Sequence, residues 1–460
     1  MRAAIGIVAL ALACEAAPAP QSNPTPQRPP APAPAPVTAS VAPWSDAWLL
    51  AQATRYLEDP GARRRALERS LQNPENLYSR TRLGSYGRPD LGWDLLPEWN
   101  PRVRSVTPAT VTHMAAHGQP EAADTRLWDG VRPTTMPAWV ELGRRVFFDY
   151  PLRPEIFAEH ALAHPEVARE IGLHSASDGS VPGTVAFVDI DGSPRVGITC
   201  ALCHSTVEAG AVVVGRARRD FDYGAMRLAY HRDTGVPVDA DMARRMASWG
   251  PGRADITEDD DEDPVAIPDL WGLRALGTLT QAATVRHGEL GDDAPLALAI
   301  RQETQILHAN RERTRPPREL AYALALFLYS LEPPPAAPPT AAAGRGAAIF
   351  RRDCEGCHAD AVGSGPPIAF ADIGTDPALA AGTSRGTGLY RPAPLLRVAG
   401  AAPYLHHGVV PSLADLFDPA RLRSDYTRGA HGPGAIAGHL PGTDLPASER
   451  EDLVAYLETR

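Results

Sequence analysis

The chain of 460 residues contains no lysine: all 45 of its basic residues are arginine. That absence reads as the codon bias of a GC-rich genome rather than as a binding signal. With 55 acidic residues the formal net charge is −10, which excludes the basic footprint expected of a nucleic-acid-binding protein. Cysteine is nearly as scarce, at five residues, and four of those fall in two copies of one pattern, ITCALCHST (198–206) and RRDCEGCHAD (351–360). No cysteines are left over for a disulfide framework. Methionine is scarce too. The six lie at positions 1, 114, 136, 226, 242 and 246, so none follows Cys354. No apolar run is long enough to span a bilayer, which takes about 20 residues. The longest N-terminal one, Ala3 to Ala13, has the length of a signal-peptide core behind Arg2.

What is abundant is proline and glycine, 47 and 39 residues, which predicts a mainly α-helical chain with long irregular loops and a few short strands. Residues 1–13 read as a signal peptide. The end of that run, ALAC, resembles a bacterial lipobox, with Cys14 as the lipidated residue, although Ala11 stands where leucine is usual. Residues 14–43 then hold the anchor cysteine and a spacer with ten prolines between 18 and 43. Glu15 is not the aspartate that favours inner-membrane retention, so the expected place is the periplasm, tethered to the outer membrane.

Four sections follow. Residues 44–135 are a helical extension in which DPGARRRALERSLQN (59–73) is the clearest helix, with Asp59 to cap it and Pro60 in its first turn. Residues 136–334 are the first motif-bearing domain. It opens on the helix WVELGRRVFF (139–148), carries two short strands with a DG turn over 184–199, and closes on the amphipathic helix RELAYALALFLYSLEPP (318–334). Its acidic run TEDDDEDP (257–264) reads as a solvated loop, with a calcium site as the lesser alternative. A proline-rich linker covers 335–343. The second motif-bearing domain, 344–460, ends on ASEREDLVAYLETR, where Ser448 can cap and Glu451 can complete a capping box.

Three chemistries use C-x-x-C. Zinc wants a second pair close by, and here the pairs are too far apart. Thiol redox has no use for the trailing histidine. Covalent haem c needs all of it: two thiols three apart for the thioethers and the next histidine beneath the iron. The cofactors implied are therefore two haems c. Cys200, Cys203 and His204 hold the first; Cys354, Cys357 and His358 hold the second. The sixth ligand decides whether each iron passes electrons or binds a substrate. With no methionine in its own domain, the second iron is left with His406, His407, His431 and His439. For the first, His231, His287, His308, Met226, Met242 and Met246 stand open, as does a vacant or water-bound position.

In the second domain Gly346 precedes Phe350 by one helical turn, just ahead of Cys354, and the last helix carries Tyr456-Leu457. This resembles a class I cytochrome c, whose first and last helices cross at that glycine. IGTDPALAAG (373–382), YRPAPLLRVAGAAPYLHHGVVPSLADLF (390–417) and GHLPGTDL (438–445) resemble the bacterial di-haem cytochrome c peroxidase superfamily, in its branch near the rubber oxygenases. WGPGRAD (249–255) and RHGELGDD (286–293) extend the likeness weakly. The resemblance implies two cytochrome c-like haem domains, with His439 as distal ligand of the second haem and His406 structural or near the haem edge. At His407 the chain departs from the asparagine usual there. It also implies a reactive first haem fed by the second, Trp249 or Trp271 as an aromatic relay, and an acid or base among Glu289, Asp292 and Asp293. Three activities fit such a scaffold: a peroxidase reducing hydrogen peroxide, a pure electron carrier with both irons six-coordinate, and an oxygenase of a hydrophobic substrate. The redox partner expected is a small cytochrome or copper protein.

Overall fold

The computed structural model describes residues 41–460 apart from Pro89, Ile256, Glu258, Asp260 and Asp261. The stretch read as a signal peptide, Cys14 and the proline-rich stretch up to residue 40 lie outside the described residues. The fold is mainly α-helical, with small sheets and irregular loops. Among the described residues no helix is long and apolar enough to cross a membrane.

Two helix crossings organise the chain. In the first, the leading helix Met136–Asp149 is capped by Thr135, whose hydroxyl accepts from Ala138 N. It buries Trp139, Leu142, Gly143, Val146 and Phe147, a 3–4 spacing that makes one stripe. That stripe packs on the closing helix Arg318–Tyr329. The contact is closest at Gly143, where a Cβ would stand 2.6 Å from Ala323 C and 2.6 Å from Phe327 Cβ. The second crossing repeats the first. The leading helix Ala341–Asp353 meets the closing helix Ala447–Leu457 at Gly346, where a Cβ would stand 2.6 Å from Asp452 C and 2.8 Å from Tyr456 Cβ. Each crossing uses Gly-x-x-x-Phe on its leading helix, Gly143–Phe147 and Gly346–Phe350, and an aromatic–Leu pair on its closing helix, Phe327-Leu328 and Tyr456-Leu457.

Ahead of the first cysteine motif lies a four-stranded antiparallel sheet, β1 (Val103–Ser105), β2 (Arg153–Pro154), β3 (Thr184–Val188) and β4 (Pro194–Ile198), in the order β1-β3-β4-β2, with β2 to β4 between Phe147 and Cys200. The expected hairpin is β3–β4, turned at Gly192, which holds φ +85°.

Residues 44–135 do more than extend the chain. Helix Asp46–Glu58 and helix Pro60–Ser70, the latter capped as expected by Asp59 onto Ala62 N, pack beside the long helix Ala294–Ala309. Tyr56 and Tyr86 both donate to buried Glu303, at 2.5 and 2.7 Å, and Tyr322 donates to Leu49 O. The closing helix of the first half is thereby covered on every side. Leu320 to Leu328 are all buried, so it is a core helix rather than the amphipathic one its sequence predicts. Residues 42–460 form one compact unit.

Three local expectations change. The second leading helix starts at Ala341 under a Thr340 cap, inside the stretch read as linker. Ser448 lies within the first turn of the last helix, whose cap position is Pro446, and caps nothing. The acidic run is not wholly solvated: Asp263 is 5% exposed. Oxygens of Asp255, Asp259 and Asp263 gather within 3.1 Å of the Thr257 hydroxyl. Among the described residues, however, no group of three or more His, Cys, Asp or Glu is arranged to hold a metal ion.

Candidate haem sites

Strand β4 delivers the first motif directly. After Ile198 and Thr199 the chain makes a single helical turn, Ala201–His204, which sets Cys200, Cys203 and His204 on successive sides of one short helix. The thiols face apolar ground. Cys200 packs against the cluster of the first helix crossing, and Cys203 against a second cluster that includes Leu202 and Met226. Burial raises their pKa values to about 12 and about 11, so both stay protonated. Neither is in a disulfide. The His204 Nδ1 lies 3.1 Å from Pro268 O. Burial lowers its pKa to about 4, so the ring is neutral, and donation from Nδ1 to the carbonyl leaves the Nε2 lone pair for a metal.

The second motif begins where the second leading helix ends. Cys354 N still donates to Phe350 O, and Cys357 N and His358 N both turn back onto Cys354 O. Here Glu355, Gly356 and Cys357 are exposed, so this motif lies at the surface, whereas in the first Ala201 and Leu202 are buried and Cys200, Cys203 and His204 half-buried. His358 repeats the arrangement of His204: its Nδ1 is 2.7 Å from Gly363 O, and burial lowers its pKa. Both motifs thus carry what a c-type haem needs from a protein, two thiols and an oriented neutral imidazole, with Cys200, Cys203 and Cys354 against apolar clusters and Cys357 exposed.

Of the four histidines available to the second iron, one is brought opposite His358. The His439 ring centroid lies 6.5 Å from that of His358, with the planes at 57°. Two metal–nitrogen bonds of about 2 Å and two ring radii of about 1.2 Å separate the centroids of imidazoles sharing one metal by about 6.4 Å, so this gap fits a single iron. Several contacts hold His439 there. Its φ is +49°, a left-handed conformation uncommon outside glycine. Its N–H donates to Ile373 O, and the preceding Gly438 lies hard against Thr375, which joins the IGTDP and GHLPG segments. Behind it, Arg421 is 0% exposed and donates from Nε to Leu416 O at 2.9 Å, from Nη1 to Ile436 O at 2.6 Å, and from Nη2 to Gly438 O and His439 O, both at 2.8 Å. Burial, then His358 and Arg421, lower the His439 pKa to about 4, which keeps it neutral.

The other three stand elsewhere. His406 stacks on Tyr390 at 4.1 Å and His407 on His406 at 4.4 Å, while His431 abuts Gly250.

Around His204 the picture differs. His287 is completely buried with both ring nitrogens engaged, Nδ1 with Leu276 O at 2.8 Å and Nε2 with Tyr329 OH at 2.6 Å. His231 is tied to Val236 O, and His308 faces Glu312. Met242 is exposed, and Met246 packs with Trp249 and Ala254. Met226 is completely buried, in the cluster that Cys203 touches. Among the described residues no imidazole faces His204 as His439 faces His358.

The acid–base candidates serve structure. Asp293 is buried and paired with Arg55 at 2.9 Å and with Arg69, Asp292 accepts from Trp48 Nε1, and Glu289 is exposed beside Arg286. Trp249 stacks on Tyr223, within the first half. Trp271 lies between the motifs. Its chain segment starts at Pro268, the partner of His204, and the adjacent Gly272 sits against Val362 and Leu396, beside the His358 loop. Sequence reasoning missed Arg421, which no local pattern marks, and Gly143, which the repeated Gly-x-x-x-Phe could have revealed.

The sequence matches no family model and no curated protein. Two solved structures show a distant likeness. One is a MauG-like protein associated with microbial copper homeostasis, with 20% identity over 47% of this chain and 81% of that one and a TM-score of 0.30. The other is the hydrazine synthase of Kuenenia stuttgartiensis pressurised with xenon, with 14% identity over 75% of this chain and all of that one and a TM-score of 0.31. Neither likeness is high enough to assign a family or an activity.

Proposed function

We propose that this chain is an exported di-haem c-type cytochrome in which the second haem passes electrons to a reactive first haem that reduces hydrogen peroxide. The observation that carries this reading is the asymmetry of the two motifs. Among the described residues His358 faces a second imidazole at 6.5 Å, and His204 faces none. Cys200 and Cys203 would hold the first haem and Cys354 and Cys357 the second, with His204, His358 and His439 on the irons. When bound, the haems supply the electron storage and the peroxide reduction.

The chain's own part is placement. The carbonyls of Pro268 and Gly363 fix the tautomers of His204 and His358. The Arg421 clamp holds His439. Trp271, 2% exposed with its Nε1 donated to Val214 O, lies on the path between the halves. The exposed edge at Glu355, Gly356 and Cys357, with Leu440 52% exposed beside His439, gives a small cytochrome or copper protein a surface on which to dock. Cys14 would tether the protein in the periplasm by its lipid, on the outer membrane. A second reading, a carrier with two six-coordinate irons, is favoured by buried Met226, whose thioether lies in the cluster that Cys203 touches.

Ferric EPR with a peroxide titration tests the choice. A high-spin or water-bound fraction and turnover support the enzyme; two low-spin signals with no turnover support the carrier. His439→Ala is expected to convert only the second haem to high spin. An unchanged spectrum would remove His439 as its ligand.

A further inference from the structure

A buried guanidinium needs acceptors, because an unpaired charge out of water costs several kcal/mol. This chain's buried arginines mostly obey. Arg63 donates to Tyr56 O, Arg82 to Tyr78 O, Arg218 to Ser205 O and Pro182 O, and Arg421 to its four carbonyls. Arg253, in the WGPGRAD segment, is 6% exposed, yet its guanidinium makes no hydrogen bond or ion pair among the described residues, and its buried Nε has no partner. Burial pulls its pKa down, and no neighbouring carboxylate pushes it back.

Its surroundings are also basic. Arg253 lies in a two-residue strand paired with Val265–Ala266, and Ala266 N donates to His406 O, so the strand lies on the seam between the two halves. The Arg253 stem packs on Gly408, and Gly250 packs on the exposed ring of His431. Arg253 helps keep His406, His407 and His431 neutral, and among the described residues the carboxylate acting on this group is Asp376, beside His407. The next segment leads to Pro268, which orients His204: Ile267 N donates to Gly252 O. An uncompensated arginine fork in an arginine- and histidine-lined seam is the chemistry that takes a carboxylate two-pronged.

We propose that Arg253, flanked by His407 and His431, is an anion site for a carboxylate, supplied either by a haem propionate or by a free monocarboxylate. The propionate source rests on the di-haem reading. The free source does not.

The experiment uses the haem-loaded protein, with haem per chain counted first, and compares wild type, Arg253→Gln and Arg253→Lys at pH 8. A propionate partner predicts that Arg253→Gln lowers the midpoint potential of one haem, leaves the other in place, and that Arg253→Lys restores most of the shift, because the lost cation stabilised the reduced state. A free carboxylate predicts that acetate raises the melting temperature of wild type and Arg253→Lys but not of Arg253→Gln, with both potentials unchanged. Unchanged potentials together with no acetate response overturn the site. Should the glutamine variant not accumulate, Arg253→Met, which removes the charge and keeps the length of the stem, takes its place under the same predictions. Unchanged potentials together with an unchanged acetate response in that variant overturn the proposal. A haem count below two sinks the di-haem reading and leaves the acetate arm standing.

Discussion

Replacing Arg421 with methionine removes four charged hydrogen bonds and keeps the volume of the side chain. Each such bond contributes about 1.5–3 kcal/mol. Their sum overstates the loss, because the burial of the charge is recovered when it goes. A net cost of about 3–5 kcal/mol is the usual result of breaking a buried charged network from one side. The cost falls unevenly. Two of the four carbonyls belong to Gly438 and His439, and a third to Ile436, all on one irregular loop. The loop can regain water by opening without unfolding the helices. His439 also holds a left-handed φ of +49°, a strain of order 1–3 kcal/mol that opening would release. At about 1.4 kcal/mol per decade, 3–5 kcal/mol shifts the loop equilibrium by about 10²-fold to a few thousand-fold. The expected result is a second haem that turns partly high-spin on reconstitution while the melting of the first half changes little. Arg421→Lys, with one nitrogen for four acceptors, should fall between. Low-spin signals and urea midpoints both at wild-type values in Arg421→Met would refute the clamp.

Gly346→Ala and Gly143→Ala should each lose at least about 2 kcal/mol in urea melts, since the new methyl meets backbone that cannot retreat. Gly344→Ala, on the same helix with nothing within 4 Å, should gain about 0.5–1 kcal/mol and serves as control. Burial first, then Asp255, raise the Asp263 pKa to about 7. A carboxyl with a raised folded pKa stabilises while protonated and loses that contribution as pH rises through 7. That loss begins near the ordinary carboxyl pKa of about 4, so Asp263→Asn should raise the melting temperature most at pH 8, less at pH 5, and leave it unchanged only below about 4. His407, lowered to about 4 chiefly by burial, has the opposite sign. Its contribution is present above about 6.5 and lost as pH falls toward 4, so wild-type urea midpoints should drop through that window and those of His407→Gln should drop less.

The cysteine motifs, the hairpin at 184–199 and the Gly346 crossing were legible because each is written in neighbouring residues. His439 was legible only as one of four histidines; its selection needed Ile373 O, Thr375 and Arg421, which reach it from other segments. His287 shows the limit from the other side. Its sequence context gives no hint that Leu276 O and Tyr329 OH already occupy both nitrogens. The role of residues 44–135 was illegible for the same reason. What those helices do is cover the far face of Leu320–Leu328, and that is a property of packing.

The two halves share one crossing but space it differently from their motifs, and the spacing accounts for their asymmetry. In the second half Cys354 follows Phe350 within a turn, so the motif leaves the helix end at the surface. In the first half three strands of the sheet, β2 to β4, intervene between Phe147 and Cys200, so the motif is delivered from β4 between two apolar clusters. The sheet is braced by β1, which belongs to residues 44–135. An exposed motif beside a fixed imidazole pair suits exchange with a partner. A half-buried motif with no facing imidazole among the described residues would suit the small oxidant of the proposed reading, because lower-dielectric surroundings strengthen the electrostatics at a reacting group. The insertion that hid the repeat from a sequence reader is thus the element that makes the two sites chemically different.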